Sequence, residues 1–180
     1  MNSDNSCPRA IRVRRARKKD LPVLVEFLIK LTVHVAGGTP QTLKKAEKKK
    51  LRDLLDSALQ DEQKQVIVAE TADDGLVGMG DISIWRSQGI WDQMDDVEFR
   101  SGIIDDVWVE PEYRGQGVFR AVLRELVAFA EERAVHELIL EYSLANKEAE
   151  TAWRKLGFTP TGVRAAAFTS SVRQKLSESE

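Results

Sequence analysis

The sequence predicts an α/β (α+β) fold in which helices flank a mixed β-sheet. Segments with period-two alternation of apolar and polar residues are interleaved with segments whose apolar residues recur every three or four positions. The resulting order, βααββ–βαβαβ, is typical of a mixed sheet with helices packed on it. With 42% hydrophobic residues among 180, the chain can bury one sizeable core. We therefore expect one domain over 11–176, between a flexible leader (1–10) and a flexible tail (177–180).

The first half of the chain predicts a strand, two helices and a β-hairpin. Asp20 followed by Pro22 favours the start of a helix, and an apolar stripe follows it. Asp73, Asp74 and Gly75 favour a hairpin turn. The predicted elements are a strand at 11–14, helices from 20 and over 43–59, and strands at 65–71 and 76–85.

The second half predicts a strand, a loop that contains glycines, and a further alternation of helix and strand. Pro111 ends the first of these strands, and Gly157 favours the end of the last helix. Residues 86–102 give no clear pattern. The predicted elements are strands at 103–109 and 137–144, helices over 118–134 and 146–156, and a last strand that begins near Phe158.

Cysteine and histidine are too few and too scattered to build a disulfide or a metal site. Cys7 is the one cysteine, so no intramolecular disulfide can form, which fits a reducing compartment. His34 and His136 lack ligand-like spacing with cysteines or acids, so we expect no metal. The start of the chain lacks the basic-then-apolar order of a secretory signal. The sequence thus favours a cytoplasmic protein.

Charge and hydropathy give no reason to expect nucleic acid or membrane as a partner. The net charge is −2, and no apolar run approaches the roughly 18 residues that a membrane span needs. Two basic stretches, 12–19 and 44–50, could contact an anionic partner. They lack interleaved aromatic residues for base stacking, so solvated surfaces are the better interpretation and DNA binding is a weak alternative.

The loop after the strand at 103–109 has the properties of a pyrophosphate cradle. Arg114, Gly115, Gln116 and Gly117 lead directly into a helix at Val118, so several backbone N–H groups converge at the positive end of its dipole. Glycine permits close backbone approach, and a guanidinium suits phosphate oxygens. The segment lacks the Lys-Ser/Thr ending of a P-loop and the spacing of a dinucleotide fold. A tight turn without a ligand is the alternative.

Two motifs in this order resemble those of a known enzyme family. The run from Val109 through Pro111 and Arg114 to Gly117 resembles the coenzyme A-binding motif of the GNAT N-acetyltransferases, Arg/Gln-x-x-Gly-x-Gly/Ala. The run Asn146-x-x-Ala-x-x-x-Trp-x-x-x-Gly-Phe resembles the family's second signature helix. The likeness covers about 11–158. It implies an acetyl-CoA-dependent N-acetyltransferase with a mostly antiparallel sheet, in which the fourth and fifth strands splay apart and an acceptor amine attacks the thioester directly in a ternary complex.

The resemblance also implies which residues hold the acyl donor. The backbone of 107–109 should pair with the pantetheine arm, amides of 114–119 should bind the pyrophosphate, and Asn146 should lie at the mouth of the cleft. Phe119 and Trp153 depart from the family pattern, since a small residue and a tyrosine are usual there. The implied donor-binding residues are Val107, Trp108, Val109, Arg114, Gly115, Gln116, Gly117, Val118, Phe119, Asn146 and Trp153.

Catalytic candidates are fewer, because an indole N–H is no practical proton source. Tyr142, on the predicted fifth strand, could replace the usual tyrosine in protonating the thiolate, or water could do so. Acyl transfer to an ammonium also needs a proton acceptor. Asp105 and Asp106 are candidates that regular alternation would point to opposite faces, and Asp105 matches a position where relatives often have glutamate. Plain surface carboxylates are the alternative.

Two rival functions remain open at this stage. One is a coenzyme A-binding module with a sensing or regulatory role, which Trp153 favours. The other is an acyltransferase for longer acyl chains or for a different acceptor. Glu141 and the acidic stretch 92–98 favour a cationic acceptor, but small amines, amino acids and protein amino groups are all compatible with the sequence. A homodimer is also compatible, since dimers are common in the superfamily.

Overall fold

The computed structural model describes residues 10–37, 43–86, 100–162 and 165–177. The chain divides into two compact units, Met1–Glu141 and Tyr142–Glu180. The prediction of one domain over 11–176 stays a prediction. Several sequence predictions lie outside the described residues: the leader at 1–9, the acidic stretch 92–98 and the chain end at 178–180.

The first unit contains five strands and three helices in its described part. Its sheet has the order β1-β2-β3-β4-β5, antiparallel throughout except for the parallel pair β4–β5. The predicted mixed, mostly antiparallel sheet is therefore confirmed. The elements are β1 (Arg12–Arg15), α1 (Leu21–Val35), α2 (Lys45–Ala58), β2 (Lys64–Thr71), β3 (Gly75–Arg86), β4 (Arg100–Val109), α3 (Val118–Glu131) and β5 (Glu137–Leu140).

Helices α1 and α2 supply the core on one face of the sheet. Alternate residues of β2, Val66 and Val68, lie in this cluster together with Met79 of β3 and Trp108 of β4. Burial of such side chains stabilises the fold by about 1.5–3 kcal/mol each. The helical members are Leu21, Leu24, Val25, Phe27 and Leu55.

Helix α3 covers the opposite face, and glycines let it approach closely. A Cβ on Gly80 would lie 2.7 Å from Cγ1 of Val122, and one on Gly78 would lie 3.0 Å from Cγ1 of Val118. The distance at Gly80 is too short for a real carbon contact and the one at Gly78 is very tight, so a side chain at either position would push α3 or its side chains away from β3. The N-terminal end of α3 is thereby held beside β3 and β4, which positions the loop that precedes it.

Asp20 differs from its predicted role as a helix cap. It ends a short 3₁₀ turn, Lys18–Asp20, and makes no side-chain cap to α1. Its carboxylate instead accepts hydrogen bonds from both terminal nitrogens of Arg14, at 2.7 and 3.1 Å, and from the Arg17 N–H at 2.7 Å. The guanidinium of Arg14 also contacts Glu70 on β2 at 2.8 Å. A buried ion pair takes the place of the predicted cap.

The second unit contains α4 (Lys147–Arg154) and α5 (Thr169–Ser177). The predicted last strand from Phe158 is wrong: the described residues that follow Phe158 form no strand before α5 begins. Phe168, Val172 and Leu176 recur every four residues, which is a helical spacing, and sequence analysis missed it. All three side chains are exposed.

Candidate functional site

Strands β4 and β5 part halfway along β4. Their pairing begins at Ser101 with Glu137 and ends at Ile104 with Leu140. Strand β4 continues to Val109, so its second half has no neighbouring strand on that side within the described part of the chain. The predicted strand at 137–144 is therefore too long, because its partner turns away after Ile104. The result is a gap beside residues 105–109.

A β-bulge marks the point where the two strands part. Gly80 pairs with Val107 and Ile82 pairs with Ile104, so the single residue Asp81 lies opposite two residues, Asp105 and Asp106. Regular alternation fails at this step. The prediction that these two aspartates point to opposite faces assumed regular alternation, and it stays a prediction.

The backbone of β4 beyond the bulge faces the gap at alternate residues. The N–H of Asp106 donates to Oδ1 of Asp81 at 2.9 Å, and the N–H of Glu110 donates to the Val77 carbonyl at 2.9 Å. Both bonds point toward β3. Since backbone groups of successive strand residues point to opposite sides, those of Val107 and Val109 point toward the gap.

Three aspartates lie together at the bulge, and burial raises the pKa of each. The pKa of Asp81 rises to about 7, first through burial and then through the negative charge of Asp106. The pKa of Asp106 is raised by burial and by the charge of Asp105. Burial also raises the pKa of Asp105, with Lys64 opposing the shift and Glu141 adding to it. Carboxylates with raised pKa values can accept a proton near neutral pH.

Asp81 is the member of this cluster that sequence reasoning missed. It follows Gly80 in a strand that is otherwise apolar on both sides of it, and a lone acid in such a run was the available signal. The pattern could not show that β3 and β4 would slip by one residue there. Only that slip brings Asp81 opposite two more carboxylates.

The glycine loop lies between β4 and α3 and is open above its backbone. Gly115 has φ +73° and Gly117, the N-cap residue of α3, has φ +89°. A Cβ at either position would meet no atom within 4 Å. The first N–H groups of a helix lack intrahelical acceptors, and here they follow this bare stretch of backbone. The arrangement suits an anion such as a pyrophosphate, whose approach a side chain would obstruct.

The other predicted residues of the loop differ in how far they face solvent. Gln116 is exposed and its side-chain N–H donates to the Glu112 carbonyl at 2.6 Å, whereas Val118 is buried against the sheet. Phe119, which replaces the family's small residue, is half-buried. Backbone amides, rather than these side chains, are therefore what the loop presents to a ligand.

The side chains of Arg114 and Trp108 contact each other. The Arg114 guanidinium lies 5.2 Å from the Trp108 ring centroid, and its Nε donates to the Val109 carbonyl at 3.2 Å. The Trp108 indole is only 6% exposed and lies in the core near His34, with ring centroids 6.0 Å apart. Trp108 therefore does not present its side chain to the gap, unlike the backbone of its neighbours.

The remaining predicted residues belong to the second unit. Tyr142 is half-buried and lies beyond the end of β5, so its predicted position on the strand is wrong. Asn146 caps α4, since its Oδ1 accepts the Ala149 N–H at 3.0 Å. Trp153 is buried and packs edge-to-face on Phe158, with ring centroids 5.3 Å apart.

The described residues contain neither a metal-binding cluster nor a membrane-spanning helix. No three side chains of His, Cys, Asp or Glu are grouped there so as to hold a metal ion. No helix in the same residues is long and apolar enough to cross a membrane.

Comparisons with known proteins agree with this geometry. Residues 37–158 match the Acetyltransferase (GNAT) family. One relative is a protein of Bacillus subtilis that has been assigned by inference as a ribosomal protein bS18-alanine N-acetyltransferase. It is 32% identical to this chain over a region that covers 46% of this chain and 52% of the relative. Streptothricin acetyltransferase of Streptomyces lavendulae is 30% identical over 64% of this chain and 55% of its own. The chain thus spans about half the length of these relatives.

A solved structure extends the likeness to almost the whole chain. It is that of a predicted acetyltransferase with acetyl-CoA from Clostridium acetobutylicum, which matches with a TM-score of 0.72 at 20% identity. The match covers 90% of this chain and 98% of the other, and at this identity it shows a shared fold. Since the family match spans most of the chain, the protein belongs to the GNAT acetyltransferase family.

Proposed function

We propose that the protein is an acetyl-CoA-dependent N-acetyltransferase that acts on an amine. The observation that supports this most directly is the gap beside residues 105–109, which opens next to the bare glycine loop at the start of α3. A strand edge can pair with the amide groups of an extended ligand, and a helix N-terminus can bind a pyrophosphate. Because the two follow one another along the chain here, they suit an elongated ligand that has both parts. Acetyl-CoA has both parts.

The residues present fit such a donor. Gly115 and Gly117 leave open space where a Cβ would otherwise stand, and the amides at the start of α3 would bind the pyrophosphate. The backbone of Val107 and Val109 would pair with the pantetheine arm in the manner of an added strand. Bound there, acetyl-CoA supplies the acetyl thioester that an acceptor attacks.

Asp105 and Asp106 would hold and deprotonate the acceptor. An ammonium group has no lone pair, so one proton must leave its nitrogen before the new C–N bond forms as the C–S bond breaks. Asp105 and Asp106, with pKa values raised by burial, would take that proton directly or through water. Their charge, together with that of Asp81, would favour a cationic amine over a neutral one. Tyr142 stays the candidate for protonating the departing thiolate.

Calorimetric titration of acetyl-CoA tests the donor site. Gly117→Glu would place a carboxylate in the proposed cradle, and we expect it to abolish binding through steric block and charge repulsion. Gly75→Glu is the matched control, because Gly75 has φ +71° and open space around it but is the first residue of β3. Absence of binding by the unaltered protein, or equal loss in both variants, would count against the proposal.

The relatives suggest which acceptors to try first. A peptide that begins with alanine and the antibiotic streptothricin represent the two named activities. We expect turnover with at least one amine of a panel that includes both, measured by release of the free thiol. Replacing Asp105 and Asp106 by asparagine should reduce kcat/KM by about 10²–10⁴-fold if they accept the proton.

A coenzyme A-binding module with a regulatory role is the second candidate. The observation that favours it is Trp153, which stands where many members have tyrosine and is buried against Phe158. In that case acetyl-CoA binds but no amine accelerates release of the thiol. A longer acyl chain is tested in the same assay with a series of acyl-CoA donors.

A further inference from the structure

The backbone of β4 changes phase between its two ends. At the start of the strand, the Arg100 carbonyl accepts the N–H of His136, the residue before β5, at 2.9 Å. In an unbroken strand, the backbone N–H and C=O groups of all even-numbered residues would point toward β5, as those of Arg100 do. Beyond the bulge, however, the N–H groups of Asp106 and Glu110 point to β3. After the bulge, the backbone groups of even-numbered residues point to β3, and those of odd-numbered residues point to the gap.

The extra residue of the bulge causes this exchange. The register moves by one residue between the pair Gly80–Val107 and the pair Ile82–Ile104. Without that slip, Val107 and Val109 would direct their backbone groups to β3, and Trp108 would direct its own to the gap. The bulge thus decides which amides and carbonyls face the side where the strands part, and of these the Val109 carbonyl already accepts the Arg114 Nε–H at 3.2 Å.

Asp81 provides a hydrogen-bond acceptor where the bulge interrupts the backbone pairing of the sheet. A bulge leaves one residue without a ladder partner, and here the orphaned N–H of Asp106 finds the Asp81 carboxylate at 2.9 Å. Asp81 is the residue of β3 that lies opposite both bulged residues. Its acceptor oxygen therefore sits at the one place where it can stabilise the altered register.

We propose that Asp81 is a positioning residue for acyl transfer: its carboxylate holds the β4 bulge and so turns the backbone of Val107 and Val109 toward the acyl donor. The inference rests on the proposed function, since it is the donor that these groups bind. It deepens that function by giving a role to a residue of β3. Asp81 acts through the backbone of β4 and touches no reacting atom.

Two substitutions separate the hydrogen bond from the charge. Asp81→Asn keeps an acceptor oxygen of the same reach, whereas Asp81→Leu removes it and leaves the Asp106 N–H buried and unpaired. We expect Asp81→Asn to bind acetyl-CoA within a few-fold of the unaltered protein. Asp81→Leu should weaken binding by about tenfold or more, as loss of an ordered hydrogen bond at a site does.

Two calorimetric outcomes would overturn the inference. Folded Asp81→Leu with unchanged acetyl-CoA affinity would show that the bulge does not depend on this carboxylate. Equal loss in both variants would show that the charge acts, and not the hydrogen bond. Circular dichroism and a thermal melt establish that each variant is folded before it is titrated.

Amide hydrogen exchange in the unaltered protein keeps the inference testable if Asp81→Leu fails to fold. In the free protein, the Asp106 amide should exchange slowly while those of Val107 and Val109 exchange fast, and acetyl-CoA should protect the latter two. Fast exchange of the Asp106 amide would overturn the role of Asp81, whether or not acetyl-CoA protects the amides of Val107 and Val109. Failure of the unaltered protein to bind acetyl-CoA overturns the proposed function instead, so the two failures are distinguishable.

Discussion

Two clusters of carboxylates in the first unit have opposite electrostatics. Asp20 and Glu70 surround the guanidinium of Arg14, and hydrogen bonds from it lower the pKa of both. At the β4 bulge, Asp81 and Asp106 lie beside one another and near Asp105, and burial and mutual repulsion raise their pKa values. The Arg14 cluster favours the charged form of its carboxylates, and the bulge cluster disfavours it.

The difference indicates which cluster serves the fold and which serves a site. A carboxylate paired with a buried cation gains stability from its charge, and breaking the pair leaves an uncompensated ion. Like charges held together reduce stability unless a ligand or a proton neutralises them. The cationic acceptor proposed above would neutralise the bulge cluster, whereas the Arg14 cluster joins β1 to β2 and to the start of α1.

Removal of the Arg14 cation should give the largest effect on stability. Its side chain is 11% exposed and that of Asp20 is 6% exposed. We expect Arg14→Met to lower the free energy of unfolding by about 3 kcal/mol, because two carboxylates lose their counter-ion. Urea denaturation at neutral pH measures the change.

Lys18→Met is the matched control for that substitution. Lys18 pairs with Asp56 at 3.3 Å, but its side chain is 75% exposed. Exposed pairs contribute about 0–1 kcal/mol, so the control should change stability little. Similar losses in the two variants would contradict the assignment of the Arg14 cluster as the structural one.

Asp81→Asn should have a smaller effect and the opposite sign. Because the folded-state pKa of Asp81 is about 7 and the unfolded value is about 4, the folded protein holds this proton more tightly. Its stability should then fall as pH rises from about 4 to about 7. The substitution removes this penalty while keeping the hydrogen bond to Asp106, so we expect a gain of about 1–2 kcal/mol at pH 8.

The pH dependence of unfolding distinguishes the two clusters further. Asp20 has a lowered folded-state pKa, so its contribution is present above the unfolded value of about 4 and is lost as pH falls below it. Asp81→Asn should reduce the fall in the free energy of unfolding between pH 4 and 7. It should leave the loss of stability below pH 4 unchanged. A flat profile between pH 4 and 7 in the unaltered protein would contradict the raised pKa of Asp81.

Local sequence signals were enough to predict the Arg114 loop and most of the sheet. The glycines of that loop, the proline that ends β4 and the apolar stripe of α3 are neighbours in sequence, so their pattern predicts strand, turn and helix directly. The exchange of the Asp20 cap for an ion pair depends on Arg14 and Glu70, which lie on two different strands. No local pattern contains that information.

The bulge cluster was predicted only in part, for a similar reason. Asp105 and Asp106 could be named because they lie on the strand that leads to the loop. Asp81 joins them through a register slip between strands whose intervening segment is long. Period-two alternation, which the sequence does show, is the assumption that the slip breaks.

Asp105→Asn should produce the smallest effect, and it tests whether the three aspartates titrate as one group. The charge of Asp105 raises the pKa of Asp106 and that of Asp81. Its removal should lower the pKa of the Asp81 carboxyl by a fraction of a unit, measured from the carboxyl carbon by NMR across pH 5–9. Glu141→Gln is the control, because the charge of Glu141 raises the pKa of Asp105 itself. An Asp81 titration that neither variant moves would mean that burial and the charge of Asp106 raise its pKa without Asp105, and the three aspartates would then not titrate as one group.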